Sequence, residues 1–215
     1  MKNLFKLALL LLFIPFARAE FSEGVEYKLL ASPQATSTVD KIEVRELFWY
    51  GCPHCFHLEP ELEKWLETRP DDVEFVRMPA ILGPNWELLG RAYYTAELLE
   101  VEDRIHKPLF SYLHTDRKRI RDVEELQDFF VAQGVSEEDF QKTYNSFAVI
   151  TKTRRSDQAA QLYGLTGVPA MVVNGKYMVN ASLAGGSNEK MLEVVNFLIE
   201  KERAETSDEE QAVTN

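Results

Sequence analysis

Cysteine is scarce in this chain of 215 residues, which contains only two. Two cysteines cannot form a disulfide-rich scaffold, nor a closed zinc site by themselves. Basic residues are also few, 24 against 35 acidic, and the net charge of −11 argues against a nucleic-acid-binding surface. Hydrophobic residues make up 45% of the chain, which suffices for a buried core and excludes a disordered protein. The length suits one domain, with or without an insertion, or two small ones.

No apolar run reaches the ~20 residues that a membrane-spanning helix needs, which argues against the alternative of a membrane anchor. Residues 7–16 are apolar, follow two lysines and precede Ala-Arg-Ala at 17–19. This is the layout of a secretory signal peptide. We therefore expect residues 1–19 to be cleaved after Ala19, which would take the net charge from −11 to −14 by removing three basic residues. The mature protein is expected in the periplasm.

Export makes the spacing of the cysteines informative, because thiols tend to pair in an oxidising compartment. Cys52 and Cys55 are separated only by Pro53 and His54. A structural disulfide stabilises a fold mainly by closing a long loop, with ~4–5 kcal/mol expected for about 100 residues and far less for a tiny loop. The spacing therefore favours reversible redox chemistry over a structural crosslink.

Apolar periodicity predicts an α/β organisation. Residues 41–50 and 72–78 have the composition of strands, and residues 53–69 between them have the spacing of a helix. This unit predicts two parallel strands with a right-handed crossover. Asn174-Gly175 between two short apolar runs predicts a hairpin that adds antiparallel edges to the sheet.

The remaining segments suggest the domain boundaries. Residues 79–164 are predicted to be helical and are too many for one crossover, so we expect a helical insertion. Residues 20–78 and 165–203 would then form the α/β domain. Residues 204–215 are rich in Glu, Asp, Ser and Thr and are expected to be a flexible acidic tail.

A strand followed by Cys-x-x-Cys and a helix is a redox pattern. Pro53 suits the first helical position, which makes Cys52 the N-cap. Free backbone N–H groups and the helix dipole then stabilise a thiolate at Cys52. Cys55 lies one turn later on the apolar face, so we predict that Cys52 attacks or is attacked and that Cys55 resolves.

Other interpretations of the histidines and cysteines stay open at this point. Zinc would need two more ligands, and His57, His106 and His114 are not placed to supply them, so no metal is expected. An inert disulfide is the other alternative for the cysteine pair. His54 is expected to donate a hydrogen bond or charge to the thiolate, against the alternative of a solvated side chain. The other three histidines are expected to be ordinary surface or packing residues.

The export signal, the Cys52-Pro53-His54-Cys55 motif, the late Thr-Gly-Val-Pro at 166–169 and the helical insertion together resemble the DsbA family of the thioredoxin superfamily. The resemblance covers nearly all of the mature chain. It implies a thioredoxin-like fold with an inserted all-helical domain.

The resemblance also implies a function. Cys52 would donate disulfides to reduced, unfolded exported proteins through a mixed disulfide. A quinone-linked membrane oxidase of the DsbB kind would then reoxidise it. The redox-active disulfide would serve in place of a cofactor, and the protein would be a monomer that binds no nucleic acid.

Val168-Pro169 is expected, from the resemblance, to be a cis peptide bond beside the disulfide. Val168 would then present its backbone N–H and C=O to an extended client segment. Sequence alone leaves open a strand that merely begins with proline.

Two acids occupy positions where the pattern favours apolar residues. Glu59 is four residues after Cys55 on the same helix face. Glu46 is expected on the same face of its strand as the apolar residues that alternate with polar ones. The family carries acids at these offsets, so we expect both near the cysteines, with Glu59 taking the proton from Cys55. The family's nearby lysine is not evident at 79–81, which puts a buried charge cluster in doubt. The alternative is that Glu59 turns into water, because an unpaired buried carboxylate is costly.

Two other functions fit the same fold. One is a binding or chaperone module in which the disulfide is incidental. The other is a disulfide isomerase, but an isomerase usually has an added dimerisation region, and too few residues precede the first confident strand to form one.

Overall fold

The computed structural model describes residues 21–214. The expected signal peptide, residues 1–19, lies outside the described residues, so its cleavage stays a prediction. Within residues 21–214, no helix combines the length and apolar character needed to cross a membrane.

One mixed sheet forms the centre of the α/β part. Its strands are β1 (Lys28–Leu29), β2 (Ile42–Phe48), β3 (Val73–Pro79), β4 (Ala170–Val173) and β5 (Tyr177–Asn180). Their order in the sheet is β1-β5-β4-β2-β3. β2 and β3 are parallel and are joined through helix α1 (Pro53–Glu67), as predicted. β4 is antiparallel to both β2 and β5. The prediction that the hairpin would supply the sheet edges is wrong, because β1 pairs with β5 and β3 closes the other side.

Both faces of the sheet are covered by helices. Met171 and Val173 of β4 pack with residues of α1 (Pro53–Glu67) and α7 (Asn188–Thr214). Ala170 and Val172, which alternate with them, pack instead with the C-terminal part of α6 (Phe147–Leu162). β4 is therefore buried on both sides, which explains its uninterrupted apolar sequence.

The segment between β3 and β4 is helical, as predicted. The side chains of Asp122, Ser136 and Ser146 each accept a hydrogen bond from a backbone N–H three residues later, and so begin three of the helices. A largely aromatic core joins these helices and extends to Phe48 and Tyr50 of the α/β part. The segment contains a 3₁₀ helix (Pro84–Trp86), α2 (Glu87–Leu98), α3 (Glu102–His114), α4 (Val123–Ala132), α5 (Glu137–Tyr144) and α6 (Phe147–Leu162).

The C-terminal segment differs from the prediction. Residues 204–215 were expected to be flexible, but α7 continues as a helix to Thr214. The Tyr177 hydroxyl donates to the carboxylate of Glu205 at 3.1 Å, and Lys201 pairs with the same carboxylate at 2.9 Å. The Tyr177 contact ties the helix to β5, whereas the Lys201 pair lies within the helix, and local composition does not reveal the link to the sheet.

Gly175, at the tip of the β4–β5 hairpin, has a positive φ of 63°, and a Cβ there would lie 2.0 Å from the carbonyl oxygen of Gln34. Gly164 has a similar φ of 61°, but no described atom lies within 4 Å of its Cβ position. Gly164→Ala should therefore lower the free energy of unfolding by about 1–2 kcal/mol, from the left-handed backbone alone. Gly175→Ala should lower it further, as measured by urea unfolding. Equal losses would contradict the steric argument.

Candidate active site

Cys52 lies where the chain passes from the sheet into α1. Its N–H donates to the carbonyl oxygen of Trp49 at 2.9 Å, and its extended backbone precedes Pro53, the first helical residue. Cys52 is thus the N-cap of α1, as predicted. The free N–H groups of the first turn and the helix dipole place positive potential near its sulfur.

The Cys52 thiol is partly buried and acidic. A hydrogen bond from the Cys55 thiol, the backbone N–H groups of Cys55 and His54, and the charge of His54 together lower the pKa of Cys52 to about 6. Partial burial opposes this shift but does not cancel it. Because an ordinary thiol titrates near ~8.5, Cys52 is mostly thiolate at neutral pH.

Cys55, one turn further along α1, is fully buried. Burial, its hydrogen bond to Cys52, and the negative charges of Cys52 and Glu46 raise the pKa of Cys55 far above the ordinary range. Its side chain belongs to the same core cluster as Tyr50 and Phe110. Of the two sulfurs, only Cys52 is accessible to another protein.

The peptide bond between Val168 and Pro169 is cis, as the resemblance implies. The Cys52 sulfur lies 3.4 Å from the carbonyl oxygen of Val168, so this backbone segment lies beside the reactive thiol. A groove follows the same segment, and we call it the polar groove. Its lining includes His54, His57, Glu61, Val168, Pro169 and Glu189.

A cluster of buried charges lies beneath the cysteines, centred on Arg77 of β3. Arg77 Nε donates to Glu46 Oε2 at 3.0 Å, and Arg77 Nη2 donates to Glu59 Oε2 at 3.3 Å. Glu46 is fully buried and Glu59 is 6% exposed, so the alternative in which Glu59 turns into water is wrong. The doubt about a charge cluster is also removed, because the cation is Arg77 rather than a lysine at 79–81.

His106 and Tyr50 extend this cluster into the helical segment. His106 Nε2 lies 3.1 Å from Glu59 Oε2, although the two groups are not aligned as a hydrogen bond. On its other side, His106 Nδ1 lies 3.0 Å from the Tyr50 hydroxyl. His106 is 7% exposed, so it is a packing residue, one of the two expected alternatives, and it also contacts two polar side chains of the site. We refer to Glu46, Arg77, Glu59 and His106 as the charge cluster.

His114 was also expected to be an ordinary residue. Its Nε2 lies 2.7 Å from the carbonyl oxygen of Tyr50, and its ring stacks on Phe56 at 5.1 Å. It therefore fastens α3 to the segment that precedes Cys52. His57, in contrast, is exposed, as expected.

The two acids of the cluster have opposite protonation preferences. Burial raises the pKa of Glu46 to about 7, although the charge of Arg77 opposes the shift and that of Glu59 adds to it. Burial also disfavours ionised Glu59, but His106, Arg77 and Lys107 outweigh it and lower the Glu59 pKa.

Burial lowers the pKa of His106, and nearby Arg77 lowers it further. The ring is therefore neutral near pH 7, and we assign its proton to Nε2, so that Nδ1 accepts from the Tyr50 hydroxyl. It follows that His106 acts on Glu59 as a polar neighbour, and that Arg77 is the permanent positive charge of the cluster.

A cleft connects the charge cluster with the surface, and its lining includes Glu59, Arg77 and His106. Lys107 and Glu63 form an ion pair of 2.7 Å at its rim. This cleft and the polar groove have no described lining residue in common. As for metals, residues 21–214 contain no group of three or more His, Cys, Asp or Glu that could hold an ion.

The sequence signature of the DSBA-like thioredoxin domain matches residues 43–193, a span that includes both cysteines and the cis-proline. The chain belongs to the DsbA family. It is therefore a thiol:disulfide oxidoreductase, and the predicted thioredoxin-like fold with an inserted helical segment is confirmed.

Individual members of the DsbA family agree with this assignment. The thiol:disulfide interchange protein DsbA of Pseudomonas aeruginosa is 43% identical over 208 residues, which cover 95% of this chain and 98% of that protein. A crystal structure of P. aeruginosa DsbA has a TM-score of 0.82 at 44% identity and covers 87% of this chain and 97% of that one. The Xylella fastidiosa oxidoreductase DsbA has a TM-score of 0.79 at 33% identity, with 85% and 98% covered.

The acidity of Cys52 predicts how this DsbA-family protein responds to pH. Because its pKa is lowered to about 6, alkylation of Cys52 by iodoacetamide should have its midpoint near that pH. The thiolate exists only in the reduced protein, so its stabilisation is fully present above the unfolded pKa of ~8.5 and is lost as pH falls through the folded value.

The reduced form should therefore melt above the oxidised form at pH 7, and the difference should shrink at pH 4. Thermal melts of both forms at the two pH values test this. An oxidised form that is the more stable at pH 7 would instead indicate a structural disulfide.

Proposed function

We propose that this protein oxidises reduced, unfolded polypeptides in the periplasm by donating the Cys52–Cys55 disulfide. The observation that carries the proposal is the contrast between the two sulfurs. Cys52 is accessible, its thiol has a lowered pKa and it is adjacent to the Val168 backbone, whereas Cys55 is buried and the pKa of its thiol is strongly raised.

The reaction begins when a client thiolate attacks Cys52 Sγ in the oxidised protein. A sulfur–sulfur bond forms between the client and Cys52, and Cys55 leaves with the electron pair of the broken bond. A second client thiolate then attacks the client sulfur of this mixed disulfide and displaces Cys52 as a thiolate. The client loses two electrons, and the protein is left as the dithiol.

The low pKa of Cys52 favours the second step, because a more acidic thiol is a better leaving group. The same property stabilises the reduced protein relative to the disulfide and so makes the protein a stronger oxidant. The backbone N–H and C=O of Val168 support binding of an extended client, since they lie beside the sulfur that the client attacks.

Glu46 exchanges the proton that Cys55 needs. Cys55 leaves as a buried thiolate, and Glu46 is the carboxylate whose charge contributes to the raised pKa of Cys55. With a pKa of about 7, Glu46 is partly protonated near neutral pH and can donate a proton or take one back. Glu59 then acts indirectly, because its negative charge raises the pKa of Glu46.

A membrane oxidase of the DsbB kind, linked to quinones, would regenerate the disulfide by removing the two electrons. The pattern of residues 1–19 supports export to the periplasm, where such clients and such a partner would be met. The proposal takes the active unit to be a monomer.

Trapping variants test the roles of the two cysteines. In Cys55→Ser the Cys52 thiolate attacks a client disulfide and releases one client thiolate, and no Cys55 thiol remains to attack the resulting mixed disulfide. Adducts with client proteins should therefore accumulate through Cys52 when the variant is expressed with its signal peptide. Non-reducing gels and mass spectrometry of the adducts give the measurement. Cys52→Ser is the matched control and should trap almost nothing. Adducts formed mainly through Cys55 would reverse the assignment.

Two isosteric variants separate the roles of the acids. Glu46→Gln should slow the step in which Cys55 exchanges its proton by about 10²-fold, the lower end of general acid–base contributions, and should remove the pH dependence near 7. Glu59→Gln should instead shift that dependence to lower pH, because the negative charge of Glu59 raises the pKa of Glu46. Stopped-flow resolution of a mixed disulfide between pH 5 and 9 measures both effects.

Alkylation of Cys52 should be nearly unchanged in both variants, which controls for distortion of the helix N-terminus. Loss of the pH dependence in Glu59→Gln, with only a shift in Glu46→Gln, would make Glu59 the proton relay that the sequence predicts.

A further inference from the structure

The loop between α3 and α4 concentrates positive charge in an acidic protein. The loop covers residues 115–122, and four of the five residues at 117–121 are Arg, Lys, Arg and Arg, between Asp116 and Asp122, whereas the chain as a whole has a net charge of −11. All four cations are exposed and line a single groove, which we call the basic groove. No carboxylate of the described residues lines it.

The basic groove begins at the reactive cysteine. Gly51 and Pro53, the residues on either side of Cys52, both belong to its lining. Because neighbouring Cα atoms are ~3.8 Å apart, a polypeptide joined to Cys52 enters this groove within one or two residues.

The floor of the basic groove is apolar and well ordered by packing. Trp49 stacks on Trp86 with ring centroids 4.3 Å apart, and Leu88 and Ile120 are also partly exposed to the groove. Gly51 permits this arrangement, because a Cβ at that position would lie 2.4 Å from the Trp49 ring. The groove thus joins an apolar floor to a cationic wall.

Two of the four cations are available for a partner. Arg121 pairs with Glu125 at 2.8 Å, and Lys118 lies 4.9 Å from the centroid of the Tyr112 ring. Within the part of the chain that the structure describes, no ion pair is found for Arg117 or Arg119.

The opposite side of Cys52 has the other charge. Glu61 and Glu189 line the polar groove. Burial and the negative charge of Glu189 raise the pKa of Glu61. A client with acidic residues near its cysteine is therefore repelled on the polar side and attracted on the basic side. The two flanks of the active site discriminate between client sequences by charge.

We propose that the basic groove binds the client segment next to the attacked cysteine and favours segments that combine an apolar side chain with acidic residues. The proposal rests on the disulfide-donating function proposed above and adds a substrate preference to it. A concave apolar floor beside Cys52 fits a peptide better than a flat lipid surface.

Matched peptides test the preference. Every peptide has two cysteines, each next to a leucine. In one arrangement two residues on the N-terminal side of each cysteine are varied, and in the other two residues on its C-terminal side. Each arrangement is made once with Glu and once with Gln at the varied positions. The oxidised protein should oxidise one of the two Glu arrangements about three- to tenfold faster than its Gln counterpart at low salt, as expected for two exposed ion pairs. The advantage should fall as salt is added.

The double variant Arg117→Gln/Arg119→Gln should lose this advantage while oxidising the Gln peptides at the wild-type rate. The matched control is Arg154→Gln/Arg155→Gln, which removes two exposed charges of α6 and should keep the preference. Equal rates for Glu and Gln peptides in the wild-type protein would overturn the proposal, as would a preference that survives in the groove variant.

Two further measurements address other occupants. One measures binding to vesicles with anionic phospholipid, and the other measures self-association by sedimentation. If either of these depended on Arg117 and Arg119 while the protein showed no peptide preference, the proposal would be overturned. Failure to oxidise even the Gln peptides would refute the disulfide-donating function itself, so the two failures are distinguishable.

Discussion

The burial of Cys55 is the constraint on which the rest of the site depends. A thiol enclosed between the sheet and the helical segment is a poor leaving group unless a proton is at hand, so a carboxylate must be enclosed with it. An enclosed carboxylate needs a cation, which β3 supplies as Arg77, and Arg77 in turn is shared with Glu59. Cys52 escapes this requirement because the end of a helix stabilises its charge at the surface.

The helical segment therefore does more than cover the site. It supplies His106 to the charge cluster and His114 to the backbone that precedes Cys52. Phe110, from the same helix α3, packs against Tyr50 with ring centroids 5.0 Å apart. Through these contacts the geometry around the cysteines depends on both parts of the fold, and displacing α3 would disturb the cluster and the approach to Cys52 together.

Local chemistry made part of this architecture predictable from the sequence. The motif itself places Cys52 at an N-cap, because Pro53 can only begin the helix, and period-two and period-3.6 patterns identify the crossover unit and the helical insertion. Arg77 could not be recognised in the same way, since its position opposite Glu46 depends on the register of β2 and β3. That register is a long-range property, and it places the cation at position 77, shortly before residues 79–81.

His106 is a different case, because a local signal was present. It precedes Leu109 and Phe110 by three and four residues, so it shares the buried face of α3. The extension of α7 had no such signal, since a Glu-rich composition favours a tail and the contacts of Tyr177 and Lys176 with α7 depend on the tertiary fold.

The cleft over the charge cluster has a consequence for how electrons and protons move. Client chains meet the protein at Cys52, along the grooves beside it, whereas the cleft reaches Glu59, Arg77 and His106 from separate lining residues. A client that extends from Cys52 along either groove would leave the opening beside Glu59 uncovered. Glu59 would then exchange protons with bulk water through the cleft while the electrons pass through Cys52 to the attached polypeptide.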